Sequence, residues 1–351
     1  MKNRIISRIV WFCVLAVLLY TVVFIWTDAR SNMQVLRTFA WSSLPIILAL
    51  VMINFLLREL KWDFFRRQAG IEAPRLGSFL IFFSGYSMAI SPGRVGELIK
   101  PFMYKEYFGQ KMRRSIPLVL CERISDLLGM ILLAVMTVPL YMRGVARVRG
   151  SEPSQMTESL VYGFLGFSVV AMVAGIAVAR NKRLVYGIIH TGMRIARLRR
   201  TLRHLRRLYF ATYPLLTTRN LLITTAMAAV SWFFECIATE MILAGAGAEN
   251  VTLWELTFVF CMATIIGGFL FFLPGGLGGF EGSAFRLMSM LGIGPNIITP
   301  AILIIRFCTL FFAVGLGFLF ILLTSIRYRK SLSWDKFEHS GEEGDETQAL
   351  S

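Results

Sequence analysis

Ten ionisable residues fall inside or at the edges of long apolar stretches of this sequence, and their types and spacing are what could do chemistry. They are Arg94, Glu97, Glu122, Arg123, Asp126, Glu235, Glu240, Glu281, Arg286 and Arg306. One charge at the centre of a bilayer costs about 2.5–3.5 kcal/mol on insertion scales. Ten left unpaired would cost about 30 kcal/mol, more than the roughly 5–15 kcal/mol by which a folded protein is stable. They must therefore pair with one another or face a polar cavity. Glu122 and Asp126 stand four residues apart, where like charges on one helix face repel, so a cation is expected between or opposite them. Arg123 points about 100° away from Glu122 on a helix, which leaves Arg94 and Arg306 as equally good partners.

Two chemistries suit this set. In one, Arg94, Arg123 and Arg306, together with free backbone amides in two glycine-rich turns, bind an anionic group. A helix that starts after such a turn points N–H groups and a positive dipole end at its ligand, and arginine grips phosphate bidentately. A lipid phosphate fits that environment. Glu97 and Glu281 then fix the arginines, bind a cationic headgroup or carry a coupling proton. In the other, the charges are structural ion pairs that hold the turns in place. No nucleophile and base pair accompanies the carboxylates. The five cysteines lie in apolar runs without CxxC spacing, and His190, His204 and His339 lie far apart, so no metal, disulfide framework or cofactor is expected.

The elements that must position these residues are membrane helices. Of 351 residues, 56% are apolar and 17% charged, with mean hydropathy +0.63; soluble domains carry about 25% charged residues. A pair of soluble domains is excluded, and the expectation is an all-α integral membrane protein. The net charge of +16 suggests nucleic acid at first sight, but the basic residues cluster in short segments between apolar runs, as in topology-setting loops, and no nucleic-acid partner is expected. Six runs approach the about 20 residues needed to span: Ile9–Trp26, Trp41–Leu57, Ile116–Leu140, Leu160–Ala179, Leu221–Ala244 and Ile298–Ile326. The first reads as a retained anchor, because no small-residue cleavage site follows it.

Two further runs are broken by Pro and Gly, at Pro92, Gly93 and Gly96, and at Pro274, Gly275, Gly276 and Gly278. Exposed backbone at membrane depth survives only where protein or a water cavity covers it, so both read as re-entrant hairpins, although residues 253–273 are long enough to span instead. With both termini cytoplasmic, 28 basic residues fall on the cytoplasmic side against 5 outside. That cytoplasmic set includes Arg58, Lys61 and Lys100. Pro92 is followed by Pro117 and Arg123 at 25 and 31 residues, and Pro274 by Pro300 and Arg306 at 26 and 32. Asp126 and Arg306 come about 15 and 12 Å into their helices, near mid-bilayer. One unit thus occurs twice in opposite orientation, at about 43–140 and 221–326, within a membrane domain spanning 1–326. Inverted repeats with broken helices point to a transporter with a midplane site.

Between the repeats, the basic segment 180–219 contains Arg194–Arg207, with Ile195, Leu198, Leu202 and Leu205 on one face among seven arginines. It reads as an amphipathic helix on the anionic inner leaflet, anchoring a linker or gathering lipid. Residues 327–351 read as a disordered acidic cytoplasmic tail. Gly275–Gly282 lacks the GxGxxG spacing of a dinucleotide loop, and no Walker Lys-Ser/Thr is present.

The motifs SPGRVGE (Ser91–Glu97), CERISD (Cys121–Asp126) and LPGGLGGFEGS (Leu273–Ser283) resemble the signature of the lysylphosphatidylglycerol synthase transmembrane, or flippase-like, family, in a stand-alone UPF0104-like form. The resemblance covers roughly Ile9–Ile326. It implies a multi-pass protein of the cell (inner) membrane that moves an anionic phospholipid or polyprenyl-phosphate-linked lipid between leaflets. Membrane lipids are the implied partners, together with lipid- or glycan-synthesis enzymes. The family's functional emphasis carries over to Pro92, Gly93, Arg94, Gly96, Glu97, Glu122, Arg123, Asp126, Pro274, Gly275, Gly276, Gly278 and Glu281. About 21 residues follow Lys330, too few for an aminoacyl transferase domain, so the transport half alone is expected and no enzyme activity. The alternative is a lipid-modifying enzyme, or a subunit presenting lipid to a partner transferase.

Overall fold

A computed structural model describes residues 29–91, 96–150, 154–193, 199–269, 274–276 and 278–329. The expected anchor Ile9–Trp26, the tip residues Pro92, Gly93 and Arg94, and the acidic tail lie outside the described residues. Within them every element is helical and no strand occurs. The helices are α1 (Ala29–Thr38), α2 (Leu44–Gln68), α3 (Arg75–Ser84), α4 (Ile99–Phe108), α5 (Met112–Arg149), α6 (Gln155–Arg180), α7 (Lys182–Gly192), α8 (Arg199–Thr212), α9 (Thr218–Gly245), α10 (Leu253–Phe269), α11 (Gly279–Met290), α12 (Pro295–Arg306) and α13 (Phe312–Tyr328).

Among the described residues, four helical runs are long and apolar enough to cross a membrane: Trp41–Gln68, Glu158–Val178, Thr218–Gly245 and Pro295–Tyr328. The predicted span Ile116–Leu140 lies inside the 38-residue α5. Local sequence sets the ends. Pro45 occupies the first turn of α2, where its missing N–H costs nothing, and Arg66 and Arg67 sit in the last turn, where cations complement the helix dipole. Thr217 caps α9 by accepting the Asn220 N–H at 3.3 Å.

The same succession occurs twice: a long helix, an arm, a tip, a second arm and a second long helix. In the first half this is α2, α3 with the 3₁₀ turn Gly85–Met88, α4 and α5; in the second it is α9, α10, α11, and α12 running through a π-turn (Phe307–Phe311) into α13. The packing between halves is reciprocal. The two leading helices, α2 and α9, pack on each other, while the first arm of each half packs on the closing helix of the other, α3 on α13 and α10 on α5. Exchanging the halves leaves this pattern unchanged.

Each hairpin has both its ends at one end of α5, and the two use opposite ends. Beside the α5 N-terminus, the Gln110 side-chain amide donates to the Glu72 carbonyl at 3.0 Å, tying the exit of the first hairpin to its entrance. Beside the C-terminus, Arg147 donates to the Asn250 carbonyl at 2.7 Å and to Glu255 at 3.1 Å, while Gly292 packs on Val148. These two ends are about 57 Å apart at 1.5 Å per residue. Leu253–Phe269 therefore begins a hairpin: α10 stops at Phe269 after 17 residues and α11 returns against it, residues 270–273 lying outside the described residues. The turn needs glycine, because Gly275 and Gly276 have φ of +59° and +69°.

Close backbone approach fixes the cross-half contact. A Cβ on Gly317 of α13 would come within 2.6 Å of the Tyr86 carbonyl carbon in the 3₁₀ turn. Gly317→Ala is expected to destabilise the protein by about 1–3 kcal/mol, the usual cost of overpacking. A lower melting temperature of the purified protein checks this. Gly163→Ala, on a face of α6 where an added Cβ meets nothing, should leave it unchanged or raise it.

Candidate functional site

The carboxylates of α5 organise the site. Glu122 and Asp126 are fully buried and share the face turned towards α2 and α4. Both lie near cations that α2 and α4 bring in. Arg58 donates one guanidinium nitrogen to Glu122 at 3.3 Å and to Asp126 at 3.2 Å. Lys61, wholly buried, donates to the other Asp126 oxygen. Lys100 donates to Glu122 at 2.7 Å and lies over the rings of Trp62 and Phe82 at 4.6 and 4.8 Å from their centroids. Its stem runs through the space a side chain at Gly85 would need. The expected cation between the like charges is thus supplied by Arg58, with Lys61 and Lys100 on the outer oxygens.

Arg123 turns the other way, as its 100° offset requires, and meets Glu97 at 2.9 Å while still reaching Glu122 at 3.3 Å and Asp126 at 3.7 Å. The second half repeats this pair. Arg306 donates its Nε–H to Glu281 at 2.6 Å and stacks over the Phe280 ring at 4.1 Å. Each half therefore joins an arginine on its closing helix to a glutamate just past its hairpin tip. Glu281 does a second task, accepting the Gly278 N–H at 2.7 Å. The Gly96 N–H is likewise taken, by the Ser91 hydroxyl at 2.9 Å. These two tip amides are satisfied within the tips.

A cavity of about 410 Å³ lies where the two halves meet. Arg58, Arg123 and Arg306 line it together with Glu97, Asp126 and Glu235, so among the described residues three cations face three anions. Both tips reach it, through Ser91 and through Gly275 and Gly276, and a Cβ at Gly275 would lie 3.8 Å from the Ile90 Cα. Four buried polar atoms on lining residues have no hydrogen-bond partner among the described residues: Arg58 Nε, Arg123 Nε, the Tyr86 hydroxyl and Trp232 Nε1. Tyr86 and Trp232 also flank the Arg58 guanidinium, whose carbon is 5.6 and 5.1 Å from their ring centroids. All four atoms can donate, and a buried donor without an acceptor costs about 1–3 kcal/mol.

Of the candidate residues, Glu97, Arg123, Asp126, Gly275, Gly276 and Arg306 line the cavity, while Glu122 lies behind it, paired with Lys100, and Gly278 is not among the lining residues. Glu281 backs the cavity through Arg306. Arg286 does not join them, because α11 turns it to the exposed side, and Glu240 sits one helix turn beyond Glu235, half-buried. Arg58, Lys61 and Lys100 were read as cytoplasmic loop charges, and that placement is corrected: α2 continues eleven residues past Leu57, to Gln68, and carries the first two inward. The signal was present in the spacing. Ile47, Val51, Asn54, Arg58, Trp62 and Phe65 recur every three or four residues, and that buried stripe crosses the apparent end of the apolar run unbroken.

A multi-pass helical membrane protein with two broken hairpins around an internal charged cavity is what the fold and the site define. Residues 13–317 match the family described as lysylphosphatidylglycerol synthase TM region, and the chain belongs to that family. Two similar proteins, each described as a UPF0104 membrane protein of Methanothermobacter thermautotrophicus, are 24% identical to it. One aligns over 288 residues, 77% of this chain and 83% of the relative, and the other over 330 residues, 88% and 92%. The family ties the protein to membrane lipids.

The network sets a ranking of substitutions. Removing one member of a buried ion pair leaves a desolvated charge and costs about 3–5 kcal/mol. Asp126→Asn, which strips Arg58 and Lys61 of a shared partner, should therefore lower the melting temperature of the purified protein sharply. Glu281→Gln, at a more accessible single pair, should lower it less.

Proposed function

We propose that the protein moves an anionic lipid, a phospholipid or a polyprenyl-phosphate-linked lipid, between the leaflets of the cell membrane. The observation that carries this reading is the shared cavity. Both halves contribute an arginine to it, and its lining residues hold buried donors that lack acceptors. A phosphate supplies several acceptor oxygens at once and suits guanidinium geometry.

In the resting protein Glu97 and Glu281 hold the two arginines in place, so the guanidinium groups are oriented before a guest arrives. An entering phosphate competes with these carboxylates, and exchanging one anion for another at the same guanidinium avoids stranding a charge in a medium of low dielectric. The hairpins open at opposite ends of α5 and meet at Gly275 and Ile90. Parting the first hairpin exposes the cavity to one compartment and parting the second exposes it to the other. In this reading the first hairpin opens to the cytoplasm, the second to the exterior, and both termini are cytoplasmic. Glu97, Arg123, Asp126 and Arg306 line the substrate site, with Glu122, Glu281 and the glycines Gly275 and Gly276 as its support; Arg94, expected in the same site, lies outside the described residues. Enzymes of lipid or glycan synthesis in the same membrane would supply the substrate, and the lipid leaves chemically unaltered.

Reconstitution with fluorescent phospholipid in vesicles tests the proposal through leaflet exchange. The Arg123→Ala, Arg306→Ala double variant should exchange lipid about ten-fold more slowly or worse, since hydrogen bonds to charged groups are worth about 1.5–3 kcal/mol. Equal rates in a folded variant would contradict transport through this cavity, and a chemically modified lipid would favour an enzyme instead.

A further inference from the structure

A second, apolar concavity of about 560 Å³ runs beside the polar cavity, a size within the roughly 300–1,000 Å³ usual for ligand sites. Its walls include Ile124 and Ile131 of α5 and Met172 and Ile176 of α6, and the apolar face of α8 covers it with Leu205 and Leu208. Two residues, Leu127 of α5 and Phe269 at the end of α10, line both spaces, so the groove begins where the polar cavity stops. At its outer end stand Arg180, Tyr209 and Tyr213, and Arg203, Arg206 and Arg207 are exposed on α8.

We propose that this groove holds a hydrocarbon chain of the same lipid whose headgroup enters the polar cavity, with Leu127 and Phe269 marking the junction between the two. The proposal rests on the lipid-carrying reading and extends it from the headgroup to the tail. Three features select this occupant. The groove is continuous with a site built for a phosphate, and an amphiphile is the molecule that satisfies both chambers at once. Its lining offers almost no hydrogen-bonding partner, which excludes a polar guest. Its cover, α8, is the segment whose exposed arginines draw anionic lipid to the membrane surface. A covered groove also explains why a short amphipathic helix follows α6 between the two halves: its apolar face closes a path that would otherwise open onto bulk lipid. The basic segment is then part of the substrate site as well as a linker.

Gly175 provides the test, because an added side chain there points into the groove and a Cβ meets nothing within 4 Å. Binding of ethyl, octyl and hexadecyl phosphate to the full-length purified protein is measured by calorimetry. The native protein should bind more tightly as the chain lengthens. Gly175→Phe and Met172→Trp should weaken hexadecyl phosphate about ten-fold, the effect of losing roughly two buried methylenes, and leave ethyl phosphate unchanged. Gly166→Phe, on the same helix but outside the groove, should behave like the native protein. Native affinity that ignores chain length, as it would if another part of the chain filled the groove, overturns the proposal. So does an undiminished chain-length dependence in both groove variants. Failure of every alkyl phosphate to bind, ethyl phosphate included, would instead remove the headgroup site on which the groove depends.

Discussion

The cost of burying charge governs this molecule. Glu122 and Asp126 lie on α5 with essentially no contact with solvent, and their surroundings are arranged to pair them with cations. Arg58 and Lys61 must come from α2, Lys100 from the second arm of the first hairpin, and Arg123 from α5 itself. That requirement fixes how far α2 runs, how close the hairpin approaches, and why Gly85 has no side chain, since the Lys100 stem passes there. Aromatic rings complete the desolvation. Trp62 and Phe82 cover Lys100, and Tyr86 and Trp232 cover Arg58, so each cation sits against a π-face as well as a carboxylate.

The second half solves a smaller version of the same problem. Among the described ion pairs Arg306 meets Glu281 and the Phe280 ring, whereas Arg123 meets three carboxylates, and the π-turn Phe307–Phe311 begins immediately after Arg306. Such a turn shifts the helix face, and these turns gather at functional sites. The pairs Arg123–Glu97 and Arg306–Glu281 thus share a design but not a stability. The denser network belongs to the first half and the more accessible pair to the second.

Much of this was legible in the residue pattern. The Pro and Gly clusters announced both broken hairpins, and the spacing from Pro92 to Arg123 and from Pro274 to Arg306 announced the repetition that the reciprocal packing displays. Glu122 and Asp126 announced their need for a cation. The identity of that cation was hidden because counting apolar residues ends α2 at Leu57, whereas the helix is held beyond it by ion pairs of Asp63 with Arg66, Arg67 and Arg75. Charged residues there read as a loop in a hydropathy profile and as a buried face in helical periodicity. The charge balance of the cavity was hidden for the same reason as the groove: both depend on which faces of separate helices meet, and a single sequence does not state that. Arg286 shows the converse error, a charge near an apolar run that the helix simply turns outward.

The central claim is that two hairpins enter from opposite compartments and that the closing helix of each half delivers one arginine to a common cavity. Sided labelling tests it most directly. In a background lacking the five native cysteines, Lys111→Cys marks the mouth of the first hairpin and Glu249→Cys the mouth of the second, both at exposed positions. A membrane-impermeant maleimide should label Glu249→Cys in intact cells and Lys111→Cys only after the membrane is opened. Labelling of both from the same side would contradict the account.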